Sequence, residues 1–244
     1  MHLRRRAWCA TGAMLAMGAP GASDRAATVC RVVGSADAPY RLFGPGGHVS
    51  GLYFELLLAA AERARWPLHF AEMPQPRAFL QMQAGAADLM VGPLRRPERE
   101  VFLVYSRITL PPEDKAVYSA GRAVSQWADL RGLRVGVQRG KRYGTEFDAL
   151  RDVQRVELVD YVVALRMLAL GRLDAVVAPE RQADQALARL ALPAVHKQAL
   201  RWPGETPHLV VAQRSPWRAR MAELEQGFDA IRQDGTWLRI LARY

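Results

Sequence analysis

The run Arg95-Arg96-Pro97-Glu98-Arg99-Glu100 carries the densest chemistry in the chain. A guanidinium is planar, stays charged at any working pH and presents a fork of N–H donors that matches a carboxylate. Arg99 can therefore hold an acidic group, or it can pair on the surface with Glu98 or Glu100, as charge runs usually do. A second basic cluster, Gly140-Lys141-Arg142-Tyr143-Gly144, lies where a strand pattern gives way to a helix pattern. The first N–H groups of a helix favour an anion, and Lys141 and Arg142 add charge there. A solvated basic loop tip accounts for the same residues equally well. Other chemistries find little support. His48, His69, His196 and His208 are scattered, and none sits in a catalytic or metal-binding motif. No Gly-rich phosphate loop occurs, and no cofactor is expected.

The elements that must position these residues alternate between strand and helix, which points to an α/β fold with largely parallel sheets. Strand patterns cover Thr28 to Val33, Pro67 to Ala71 and Ala87 to Gly92. Between them, Gly51 to Trp66 places Leu52, Leu56, Leu57, Ala60 and Ala61 on one helical face, and Pro76 to Ala84 forms a shorter helix. A second series begins near Trp127. It has strands at Leu133 to Gln138, Val156 to Val159 and Leu173 to Ala178. Its helices run from about Tyr143 to Asp152, from Tyr161 to Leu170 and from Pro179 to Leu190. A strand at His208 to Gln213 and a long helix from Pro216 to about Gln233 follow, and Asp234-Gly235 ends that helix. Two such series with a returning C-terminal segment suggest two lobes, 28–118 plus 208–244 and 119–207. The chain would cross near Val117 to Gly121 and near Gly204 to His208.

The 244 residues carry a formal charge of +10. Three arginines lie between His2 and Arg6, followed by the uncharged stretch Ala7 to Ala22. That order reads as a secretory signal peptide over about 1–22, with cleavage between 21 and 27, and hence a periplasmic protein. Removing Arg4 to Arg6 leaves the protein basic, but its cations are spread along the chain without a recognition motif, so no nucleic-acid partner is expected. Cys30, the cysteine that outlasts processing, sits among apolar residues and reads as a buried, inert thiol.

Four ordered segments resemble the periplasmic solute-binding proteins of the amino-acid-uptake type, family 3. They are Gly51-Leu-Tyr-Phe-Glu-Leu56; Gly85-Ala-Ala-Asp88 with Arg96-Pro-Glu-Arg99 and Tyr105-Ser106; Leu130-Arg-Gly-Leu-Arg-Val-Gly-Val-Gln138 with Arg139-Gly140; and Leu170-Gly-Arg-Leu-Asp-Ala-Val-Val177 with Gln233-Asp-Gly-Thr-Trp237. The resemblance implies a type II periplasmic binding protein fold, with each lobe a mainly parallel sheet flanked by helices. It implies capture of a small solute by hinge closure and recognition by a membrane permease or sensor partner, with no enzymatic activity and a monomeric state. Arg99 stands where the family's arginine grips the ligand carboxylate. Tyr40 stands where an aromatic wall is often supplied, Arg77 where divergent members carry an arginine, and Gly92 on the loop that faces the ligand. Lys141 and Arg142 replace the small hydroxyl residues that the family usually carries after Gly140, and with Tyr143 they are the candidates the resemblance offers for contacting the ligand from the second lobe. Pro179 occupies the position at which amino-acid binders place an aspartate for the ligand ammonium, so the expected ligand is a small anion rather than an ordinary amino acid. An alternative on the same fold is a dehydratase acting on cyclohexadienyl acids.

Overall fold

Apolar strands and amphipathic helices alternate throughout residues 29–244, which the computed structural model describes. The expected signal segment lies outside the described residues. The first part of the chain forms β1 (Cys30–Gly34), a small hairpin of β2 (Leu42–Phe43) and β3 (Val49–Ser50), α1 (Leu52–Ala64), β4 (Leu68–Glu72), α2 (Gln75–Ala84), β5 (Leu89–Leu94) and β6 (Leu103–Thr109). Then come β7 (Lys115–Ala120), β8 (Arg134–Gln138), α3 (Thr145–Ala149), β9 (Gln154–Leu158), α4 (Tyr161–Ala169), β10 (Ala175–Pro179), α5 (Glu180–Leu190) and β11 (Val195–Trp202). The chain ends with β12 (Pro207–Ala212), α6 (Met221–Gln233) and α7 (Thr236–Leu241).

Two five-stranded sheets result, ordered β4-β1-β5-β12-β6 and β11-β7-β10-β8-β9. In each sheet four strands share a direction, and one runs against them: β12 in the first, β7 in the second. Each reversed strand is the first one the chain forms after crossing from the other sheet. Successive side chains of a strand point to opposite faces, and here both faces are covered. Val32, Leu209 and Val211 pack toward α1 and α6, whereas Val33, Val210 and Ala212 pack toward α2. In the second sheet Tyr118, Val176 and Ala178 face α4 and α5, and Val117, Ala175 and Val177 face the opposite side. Burial on both faces is why these strands read as almost continuous apolar runs. Cys30 is fully buried in this core, and burial pushes its thiol pKa well up, as befits an inert thiol.

The same clamp secures β1 in the first sheet and β8 in the second. Arg31 donates from its backbone N–H and from Nε to Asp88 Oδ2 (2.9 and 2.8 Å), and from Nη2 to the Gly85 carbonyl (3.0 Å). Arg134 makes the matching set with Asp174 Oδ2 (2.8 and 3.0 Å) and the Gly171 carbonyl (2.9 Å). The Gly-x-x-Asp segments legible in the sequence are thus structural fasteners.

Three expectations are corrected. The first crossing comes before Val117, because the whole of β7 lies in the second sheet, paired with β10 and β11. The chain therefore crosses at 110–114, and it returns at 203–206. The helix expected from Tyr143 to Asp152 shrinks to the five residues of α3. Arg155 donates to the carbonyls of Phe147 and Leu150 (2.7 and 2.8 Å), which takes the place of another helical turn. The helix expected from Pro216 opens as a 3-10 turn, Pro216–Arg220, and α6 proper starts at Met221.

Candidate functional site

The carboxyl ends of β1, β5 and β8 and the two crossing segments surround a cleft of about 600 Å³. Strand ends are where open α/β sheets collect ligands, because the loops there are free to vary while the strands stay fixed. Residues 35–37 follow β1, Gly92 and Leu94 belong to β5, and residues 138–144 follow β8. Glu113, Lys115, Gly204 and Glu205 come from the crossings or their edges.

The basic run at 95–99 is sorted by the fold into three different environments. Arg95 pairs outside with Glu100 at 2.7 Å. Arg96 is held in a fork by Glu205, through Nη1 at 2.8 Å and Nη2 at 2.7 Å. Arg99 ends a 3-10 turn, Pro97–Arg99, that carries its side chain back over β5. Its Nη1 donates to the Leu94 carbonyl at 3.1 Å, and its guanidinium lies 4.3 Å from the centre of the Phe79 ring. Stacking and one hydrogen bond fix the plane of the group while the rest of its donor fork stays open. Among the described residues, Arg99 has no carboxylate partner, unlike the other six cations that line the cleft.

The other candidates separate into cleft-lining residues and residues set back from it. Gly92 lines the cleft with φ +101°, and a Cβ there would overlap Nη1 of Arg41. Lys141 reaches across from the second sheet's side to Asp37 Oδ1 (3.8 Å) and Glu113 Oε2 (3.9 Å). Arg142 sits at the rim, with an exposed guanidinium paired to Asp148 at 2.9 Å. Tyr143 contributes to the wall, but its hydroxyl is engaged internally, accepting from the Gln138 N–H at 2.6 Å and meeting Tyr161 at 2.9 Å. Burial raises its pKa. Tyr40 is fully buried with its ring 4.8 Å from Tyr53, so in this conformation it supports the loop after β1 from beneath and presents no surface to the cleft. Arg77 is exposed on α2 and does not line the cleft. The five-residue α3 carries Glu146 and Asp148 in its first turn, so little helix dipole stands behind the loop at 140–144.

Several cleft residues escaped the sequence reading, among them Arg41, Asp37, Glu113, Lys115 and Glu205. Arg41 is buried beneath Gly92, where it donates to the carbonyls of Ser35 (3.1 Å) and Val91 (3.3 Å) and pairs with Asp37 at 3.1 Å. The only local hint is the four-residue spacing of Asp37 and Arg41. Asp37 also accepts from Gln182 Nε2 of α5 at 2.8 Å, so it ties the loop after β1 to the second sheet's side. Lys115 is nearly buried at the foot of the cleft; burial pushes its ammonium pKa down, while Glu113 at 3.5 Å opposes the shift. Pro179 is buried at the end of β10, and Glu180 turns away to Lys197 (2.7 Å) and Arg201 (3.3 Å). Among the described residues, none of His48, His69, His196 and His208 lines the cleft, and no group of three or more metal-ligating side chains gathers.

Comparison with protein families finds a match to the bacterial extracellular solute-binding proteins, family 3, over residues 31–244. Comparison with curated protein sequences finds no match. Among solved structures, the chain is similar to substrate-binding domain 2 of Lactococcus lactis GlnP in its open conformation, with 17% identity, a TM-score of 0.67, and coverage of 91% of this chain and 97% of that one. It is similar to the arginine-, lysine-, histidine-binding protein ArtJ of Geobacillus stearothermophilus (19% identity, TM-score 0.64, coverage 88% and 98%). It is also similar to a histidine kinase sensor domain with similarity to periplasmic binding proteins (21% identity, TM-score 0.65, coverage 88% and 95%). At these identities the likeness establishes the fold, the type II periplasmic binding protein arrangement of two sheets around a cleft.

Proposed function

We propose that this chain, which belongs to the bacterial extracellular solute-binding proteins, family 3, captures a small carboxylate-bearing solute in its cleft, with Arg99 as the anchoring cation. The observation that carries the reading is the open donor fork of Arg99, which has no carboxylate within 4 Å among the described residues, whereas every other cleft cation has at least one. An arginine whose plane is already set by Phe79 and Leu94 loses little freedom on taking a carboxylate, so more of the interaction appears as affinity. The walls belong to two sheets between which the described chain crosses twice, at 110–114 and 203–206, which suits hinge closure over the solute. Export to the periplasm and delivery to a membrane permease or sensor complete the reading. No described helix is long and apolar enough to cross a membrane.

The test is isothermal titration calorimetry with small carboxylates, after a thermal-shift screen, on the wild type and on Arg99→Ala and Arg99→Lys. A charge-assisted fork is worth roughly 1.5–3 kcal/mol, so Arg99→Ala should weaken binding about 10- to 100-fold, and lysine should restore only part of it. Equal affinity in wild type and Arg99→Ala would remove Arg99 from the site.

A further inference from the structure

The cations of the cleft can be matched with carboxylates one by one. Arg96 takes Glu205, Arg139 takes Glu157 and Arg142 takes Asp148. Arg41, Lys115 and Lys141 share two carboxylates, Asp37 and Glu113. Arg99 has none among the described residues. Two positive charges are therefore left over, one at Arg99 and one in the cluster of three. Within that cluster Lys141 is the loosest member: Arg41 is hydrogen-bonded to Asp37 at 3.1 Å, whereas Lys141 stands 3.8 and 3.9 Å from its partners, beyond hydrogen-bond reach. The carboxylates that line the cleft, Asp37, Glu113 and Glu205, all face a cation already.

We propose that the cleft selects a small dicarboxylate with no ammonium group, one acidic end on Arg99 and the other drawn to Lys141. This rests on the reading of Arg99 given above and adds a second charge to it. Closing low-dielectric walls around two uncompensated cations is costly, and a dianion removes both costs at once. A ligand ammonium would bring a third positive charge into the same space. It would also have to win Asp37 or Glu113 away from the chain's own Arg41, Lys115 and Lys141. Lys141 follows β8 whereas Arg99 follows β5, so a ligand with charges at both ends engages both sheets.

The experiment is calorimetry on the protein with succinate, glutarate and adipate, with the monoamide of each, and with L-glutamate. At least one diacid should bind about tenfold or more tightly than its monoamide, and glutarate about tenfold or more tightly than L-glutamate. Lys141→Met and Lys141→Gln should bring diacid and monoamide to within about threefold of each other, and Arg99→Ala should weaken both. A diacid no better than its monoamide, L-glutamate better than glutarate, or an unchanged ratio in both Lys141 variants overturns the inference. If monoamides bind with Arg99 dependence and diacids gain nothing, the dianion falls and the carboxylate reading stands. If no carboxylate shows Arg99 dependence, the carboxylate reading falls as well.

Discussion

Asp88→Ala is expected to destabilise the protein by about 2–4 kcal/mol, measured as a lower urea midpoint at pH 7. Asp88 is buried and receives four hydrogen bonds: three from Arg31 and one from Ser215 Oγ at 2.8 Å. Its loss strands the Arg31 N–H at the start of β1 and the Ser215 hydroxyl, which itself accepts from Trp217. Arg31 is half exposed, so solvent screens part of the charge attraction, and most of the cost comes from the donors left unpaired. The matching change, Asp174→Ala, should cost less, because Asp174 is partly open to water that can take its place. Burial raises the pKa of Asp88, but the hydrogen bonds from Arg31 and Ser215 outweigh it and the net shift is downward. The stabilisation is therefore complete above the ordinary Asp value near pH 4 and drains away as pH falls toward the lower folded-state value. Wild type should lose more stability than Asp88→Ala across that acid window, so the gap between them should narrow.

Gly92→Ala is expected to lower stability by about 2–3 kcal/mol and to weaken solute binding about tenfold or more. Its backbone is in the left-handed region, and the added methyl would collide with the buried Arg41 guanidinium. Moving Arg41 breaks its bonds to Ser35, Val91 and Asp37, and Asp37 is the group that meets Lys141 and Gln182 across the cleft. Gly121→Ala is the control for backbone strain alone, since it has a φ of +81° with nothing within 4 Å of the added carbon. If the two variants lose the same stability, the contact between Gly92 and Arg41 contributes nothing beyond backbone geometry.

What the sequence made legible was local. The 3.6-residue spacing of Leu52, Leu56 and Ala60 reports a helix face because the helix itself brings those residues together. The Gly-x-x-Asp segments and the strand-helix order were visible for the same reason. Pairings between distant residues were not. Lys115 to Ser119 is buried end to end, so its pattern reports a central strand without saying of which sheet, and the crossing was placed too late. Which arginine of the run at 95–99 stays open depends on Glu205, 109 residues beyond Arg96. Arg41 gains its place from Val91 and Gly92, fifty residues away, and nothing near it marks the approach. Tyr40 sits in the expected loop, yet the pairing of its ring with Tyr53 turns it inward.

The most direct test of the central claim is a crystal structure of the protein with the tightest-binding carboxylate from the screen. The account predicts a carboxylate about 3 Å from the open nitrogens of Arg99, with the Arg99 plane still resting on Phe79. A carboxylate bound elsewhere in the cleft, with Arg99 bonded only to the Leu94 carbonyl, would contradict it.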